Sequence, residues 1–242
     1  MQRILVDIVN AGTLLSSAEV RRCLAALRVQ VERDFAPAWG RTATLHYVGP
    51  REKAHAGAWQ MVLLDQRDAD DGYHELTRDG LPLGRVFVRE ARKCPSGWTS
   101  TASHELLEMI ANPDTTQTIF VEAPGRGPRV YPQEVCDPVQ DDRFTYEIDG
   151  VPVSDFVHPA WFDPWRKRGS ARFDQAGKLR LPFQVPKACY AMFYDVHARV
   201  WRDDWGHKTT PHLSVYGVTS DRGGSRRGLT ASPRSAWRKS LL

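Results

Sequence analysis

Apolar and polar positions follow two rhythms along the first half of the chain, and each predicts a different element. Residues 4–9 are a short apolar run rich in β-branched side chains, the mark of a buried strand. From Ser16 the period lengthens. Val20, Leu24, Leu27 and Val31 recur at helical spacing, with Arg21, Arg22, Arg28, Glu32 and Arg33 on other faces, and Ser16-x-x-Glu19 is a capping box. This predicts an amphipathic helix of about five turns ending near Pro37. Strands are expected over Ala43–Val48, Trp59–Leu64 and residues 85–89, with a punctuated loop at 65–84. A second helix is predicted over 101–111, stopped by Asn112-Pro113. Beyond it the pattern gives strands at 118–122, 144–148, Val151–Val153, 179–183 and 189–196, with Asp149-Gly150 as a tight hairpin turn. The expected class is α+β: one domain over residues 1–217, a mixed sheet with two main helices and an irregular β-rich C-terminal half.

Composition narrows the function classes. Of 242 residues 41% are hydrophobic, enough for a substantial core. No apolar run approaches the ~18 residues of a membrane span, and the opening residues lack the pattern of a secretory leader, so a cytoplasmic protein is expected. Cys23, Cys94, Cys136 and Cys189 are scattered without a C-x-x-C pair, which makes a cysteine zinc cage or a disulfide framework a poor fit. The net charge of +4 is unevenly placed: residues 218–242 hold six basic side chains against Asp221, so the preceding body is slightly acidic. That Gly/Ser/Arg-rich segment is expected to be a disordered tail, and nucleic acid or an anionic surface is expected as a partner only through it.

The informative chemistry lies in the second helix, Ser103-His104-Glu105-Leu106-Leu107-Glu108-Met109-Ile110-Ala111. His104 and Glu108 are four residues apart and project from one helical face. The spacing is that of the zinc helix H-E-x-x-H, with Glu108 at the fifth position; a carboxylate there changes the ligand type and keeps the geometry. The helix is otherwise apolar, so these charges share a buried element where an unpaired one is costly. A second acidic cluster, Gln133-Glu134-Val135-Cys136-Asp137-Pro138, follows.

SHELLEMIANP, then EVCDP, then VSDFVHPAWFDP, together resemble the zincin-like proteins, related in pattern to zinc metallopeptidases, with an H-E-L-x-E helix and a downstream E-x-x-D motif. The resemblance covers residues 72–183. It implies a zincin fold, in which the helix packs under a mixed sheet and an edge strand borders the cleft. It makes His104 and Glu108 metal ligands and Glu105 the general base. Asp137 ranks first as third ligand and Glu134 second. Asp114 is a rival, ten residues after His104 where metzincins place theirs, although Ala111 stands where their turn needs glycine. One imidazole and two carboxylates form a harder set than the usual peptidase site, so manganese, calcium or magnesium is admitted beside zinc.

His74 is a further candidate, as an added ligand or a carbonyl-polarising group; its plainer reading is a loop histidine bonded to backbone. Tyr131 could steady an oxyanion. Cys136 is a soft ligand or, more simply, a small buried side chain. His158 is expected to be packed and hydrogen-bonded, and His46, His55, His197, His207 and His212 structural or superficial. Trp161, Phe162 and Trp165 are expected in a rigid packed turn, and no glycine-rich phosphate cradle precedes a helix. Two functions follow: a metal-dependent hydrolase of peptide or protein substrates using Glu105, or a non-catalytic zincin-fold binding or assembly protein whose metal is structural or absent.

Overall fold

The computed structural model describes residues 4–123, 125 and 127–211. The basic segment 218–242 and His212 lie outside the described residues. β1 (Ile4–Asn10), β2 (Ala43–Val48), β3 (Trp59–Leu64), β4 (Gly72–Leu76) and β5 (Pro82–Phe87) form one sheet in the order β2-β1-β3-β5-β4. The first four in that order run parallel, and β4 lies antiparallel at the edge. Register puts Val6, Ile8, Met61, Leu63 and Val86 on one face, all buried. Gly72 opposes Val86 and His74 opposes Gly84, so both residues of the edge strand share that face.

The helices cover it. α1 (Ser17–Val29) starts at the expected capping box, with Ser16 Oγ accepting from Glu19 N (3.2 Å) and Glu19 Oε2 from Ser16 N (2.7 Å). The helix does not stop at Pro37. It widens into a π-helical stretch, Gln30–Phe35, and continues as α2 (Ala36–Trp39) to Gly40, whose φ is 66°. In the wide turn Ala36 N–H donates to Val31 O, five residues back, and the next residue is the one that has no N–H to donate. After the single turn α3 (Val88–Ala91), α4 (Gly97–Ala111) begins four residues earlier than predicted. Its Leu106, Leu107, Met109, Ile110 and Ala111 are fully buried, the signature of a helix covered on all sides. Arg41 Nη1 donates to the terminal carbonyls of Ile110 (3.1 Å) and Ala111 (2.5 Å), neutralising that end.

The C-terminal half supplies the second cover. β6 (Thr118–Ala123), β7 (Gly127–Pro132), β10 (Ala191–Asp195), β11 (Val200–Asp204) and β12 (Thr209–Pro211) form an antiparallel sheet ordered β12-β11-β10-β7-β6. β8 (Tyr146–Ile148) and β9 (Val151–Val153) form a hairpin whose turn residues Asp149 (φ 51°) and Gly150 (φ 69°) both take the left-handed conformation. Tyr131 of β7 and Phe193 of β10 pack ring on ring with Trp161, Phe162 and Phe183 against the antiparallel sheet. One continuous set of buried apolar side chains runs from Val6 through α4 to Phe193. The architecture is mixed α/β, and among the described residues no helix is long and apolar enough to cross a membrane.

Three expectations need correction. The segment 65–84 holds a strand, β4, and the start of β5. Residues 179–183 form no strand: Asp174 takes the amides of Lys178 and Leu179, and Gln184 Oε1 takes those of Arg180 and Leu181, so side chains occupy the donors a ladder would use. Trp165 is 71% exposed, outside the packed turn expected to hold it.

Candidate metal centre

Helical spacing does the first part of the assembly. His104, Glu105 and Glu108 leave α4 where it passes under the edge of the parallel sheet, and their residue exposures are 0%, 1% and 3%. Glu108 Oε2 lies 3.1 Å from His104 Nε2. The approach to β4 is close: a Cβ on Gly72 would stand 2.7 Å from Thr101 Cγ2 and 3.0 Å from Glu105 Cγ. Beside it, Asp71 Oδ2 accepts from Thr101 Oγ1 (3.0 Å), which ties the strand's entry to the helix. Two residues on, His74 is turned inward by the strand alternation, with Nδ1 3.7 Å from Glu105 Oε2 and Nε2 3.9 Å from Glu134 Oε2.

The acidic motif closes the other side. Glu108 Oε1 accepts from the backbone amides of Cys136 (3.0 Å) and Asp137 (3.3 Å), so a helix carboxylate fixes the turn that carries the downstream residues. Asp137 Oδ1 then reaches His104 Nε2 at 3.3 Å. Glu134 is held through Oε1 by Asn112 Nδ2 (3.0 Å), while Asn112 Oδ1 accepts from Gln117 N (2.7 Å). Glu134 Oε2 is buried with no hydrogen-bond partner among the described residues. Burial, reinforced by the charge of Glu108, pushes the Glu134 carboxyl up to about 8 and that of Asp137 up to about 7.

Six of the residues singled out from the sequence, His74, His104, Glu105, Glu108, Glu134 and Asp137, thus meet in one cluster. Among the described residues, two groups bring nitrogen, oxygen or sulfur donors within 4.8 Å of one another: His104, Glu108 and Cys136, and His74, Glu108 and Glu134. The donor types suit a divalent cation of borderline hardness, and the unpartnered Glu134 oxygen is an atom such an ion would satisfy. His74 sits in an edge strand and not in the loop expected for it. Asp114 lies in the turn after α4, where its carboxylate accepts from Thr116 N (3.3 Å). Tyr131 belongs to the aromatic core, and His158 packs on Phe156 with Nε2 3.1 Å from Gln175 Oε1, as expected.

Sequence reasoning missed two supports. Tyr190, 3% exposed, donates its backbone amide to the Asp137 carbonyl (3.4 Å), and burial followed by the Asp137 charge raises its hydroxyl well above the ordinary tyrosine range. Gln30, in the π-helical stretch, accepts from Ser103 Oγ (2.7 Å) and donates to Ser154 O (2.8 Å); Ser103 Oγ accepts in turn from Ser154 N (3.0 Å). This buried triad fixes α4 one residue before His104. A polar Gln30 on the apolar stripe of α1 was the available signal. Compared with family models, curated proteins and solved structures, the chain has no significant match in any of the three.

Proposed function

We propose that this chain is a metal-dependent hydrolase of the zincin type, acting on a peptide or amide bond. The observation that carries the reading is the convergence of Glu108 and Asp137 oxygens on His104 Nε2, at 3.1 and 3.3 Å, with Glu105 beside them on the same helix. The antiparallel edge strand β4 along this site supports the fold assignment, because a zincin cleft is bordered by such a strand. A cation held by His104, Glu108 and Asp137, zinc first and manganese or calcium as alternatives, would supply Lewis acidity toward a carbonyl and a water. Glu105 takes the proton from the attacking water and later delivers it to the leaving nitrogen. Glu108 also orients the Cys136–Asp137 turn, and Asn112 holds Glu134.

The test is metal content and turnover together. Wild-type protein purified without added metal should contain zinc or manganese, and His104→Ala should lose it. Glu105→Gln should keep the metal and lose hydrolysis of a peptide library by about 10²–10⁴-fold. Retained hydrolysis in Glu105→Gln would remove the mechanism.

One observation favours a second reading, a binding or assembly protein with a structural metal. His104, Glu105 and Glu108 are almost fully buried, and a structural site needs no opening to substrate. That reading expects a melting temperature that falls on chelation and no hydrolysis of any library member.

A further inference from the structure

We infer that the centre holds two divalent cations bridged by the Glu108 carboxylate, the second bound by His74 and Glu134. The inference rests on the cluster being a metal site and concerns how many ions it takes. A single tetrahedral ion with one open position is satisfied by three protein donors. Here His104, Glu108 and Asp137 already supply them, with Cys136 in addition. His74 and Glu134 remain, and their donor atoms form a separate group with Glu108 within 4.8 Å.

The two groups come from different elements. His104 comes from α4 and Asp137 from the turn after β7, and they meet at His104 Nε2. His74 comes from the edge strand, and Glu134 is held toward it by Asn112. Glu108 stands between them as the member shared by both groups. Its Oε2 faces His104 and its Oε1 accepts from the Cys136 and Asp137 amides, so the carboxylate is fixed where the two groups meet.

Paired ions about 3.5–4 Å apart are an established arrangement for metal-assisted hydrolysis.

The experiment loads the chelator-stripped full chain with Zn(II), and separately with Mn(II), and counts ions per chain after desalting. Two per chain are expected in the wild type and one in His74→Ala. Glu134→Gln guards against simple unfolding of the alanine variant and should also hold one, with unchanged far-ultraviolet circular dichroism. In the manganese-loaded wild type, electron paramagnetic resonance should show an exchange-coupled pair that becomes an isolated-ion signal in His74→Ala. One ion in the wild type, retained in both variants, would overturn the second site and leave the proposed hydrolase standing. No bound ion at all would overturn the hydrolase reading as well. Two ions with uncoupled spectra, both kept in His74→Ala, would place the second outside the cluster and overturn the bridged pair.

Discussion

The parallel-sheet half and the C-terminal half contribute to the same site by different physics. In the first half, packing places the chemistry: α4 is fixed by apolar side chains in the core it shares with β5, and His104, Glu105 and Glu108 follow from 3.6-residue periodicity. In the second, side-chain hydrogen bonds place it. Glu108 holds the Cys136 and Asp137 amides, and the 173–185 segment is stitched by Asp174 and Gln184. A site shared this way has a rigid wall and a wall that depends on it. Disturbing α4 should damage both halves, and disturbing the stitched half should damage its own wall first.

The largest effect should come from Leu106→Ala, which opens a cavity in the fully buried helix and should cost about 2–5 kcal/mol. Urea unfolding followed by tryptophan fluorescence and by far-ultraviolet circular dichroism should shift together, because the helix serves both layers. Separate transitions would break the comparison by showing that the C-terminal half stands without α4.

Gly72→Ala comes next, at about 1–3 kcal/mol. The new methyl would press on Thr101 Cγ2 and Glu105 Cγ, both on α4, and on the Arg85 carbonyl. The helix atom carrying Glu105 must give way, so metal affinity or turnover should fall further than stability alone explains. Thermal melting with and without zinc separates the two losses.

These two substitutions also mark how far the sequence was readable. Local regularities survived: the capping box of α1, the H-E-x-x-E face and the Asp149-Gly150 turn all occur at their expected positions. β4 escaped because its inward residues, Gly72 and His74, are small or polar where a strand in a core is ordinarily apolar; they face a charged cluster and a close helix. β7 escaped because Pro128 and Pro132 punctuate it, and the pattern 179–183 misled because its donors are taken by side chains. Tyr190 reaches Asp137 across more than fifty residues, and no local spacing encodes such a contact.

The stitched half should carry its own pH signature. Asp155 and Asp174 are both fully buried, and burial, with the hydrogen bond and charge of Asp174, raises the Asp155 carboxyl well above its ordinary range. The folded chain therefore keeps a proton that the unfolded chain releases. Stability is full below the ordinary carboxylate range and declines as pH rises above it, by up to about 1.4 kcal/mol per unit until the folded group itself ionises. Asp155→Asn keeps a donor toward Asp174 and should flatten this slope. An unchanged slope in that variant would assign the pH dependence elsewhere.

The smallest effect sharpens the contrast from the packed side. Ser16→Ala removes the cap that accepts from Glu19 N and should cost about 1 kcal/mol, whereas Ser16→Asn should restore most of it. The cap lies far along α1 from Gln30, which is buried and bonded to both Ser103 and Ser154. A helix held by its apolar stripe passes little of a frayed first turn to its far end, so metal content should be unchanged in Ser16→Ala. Loss of metal along with the cap would mean that the rigid wall is itself held by its hydrogen bonds, and the two halves would then differ in degree only.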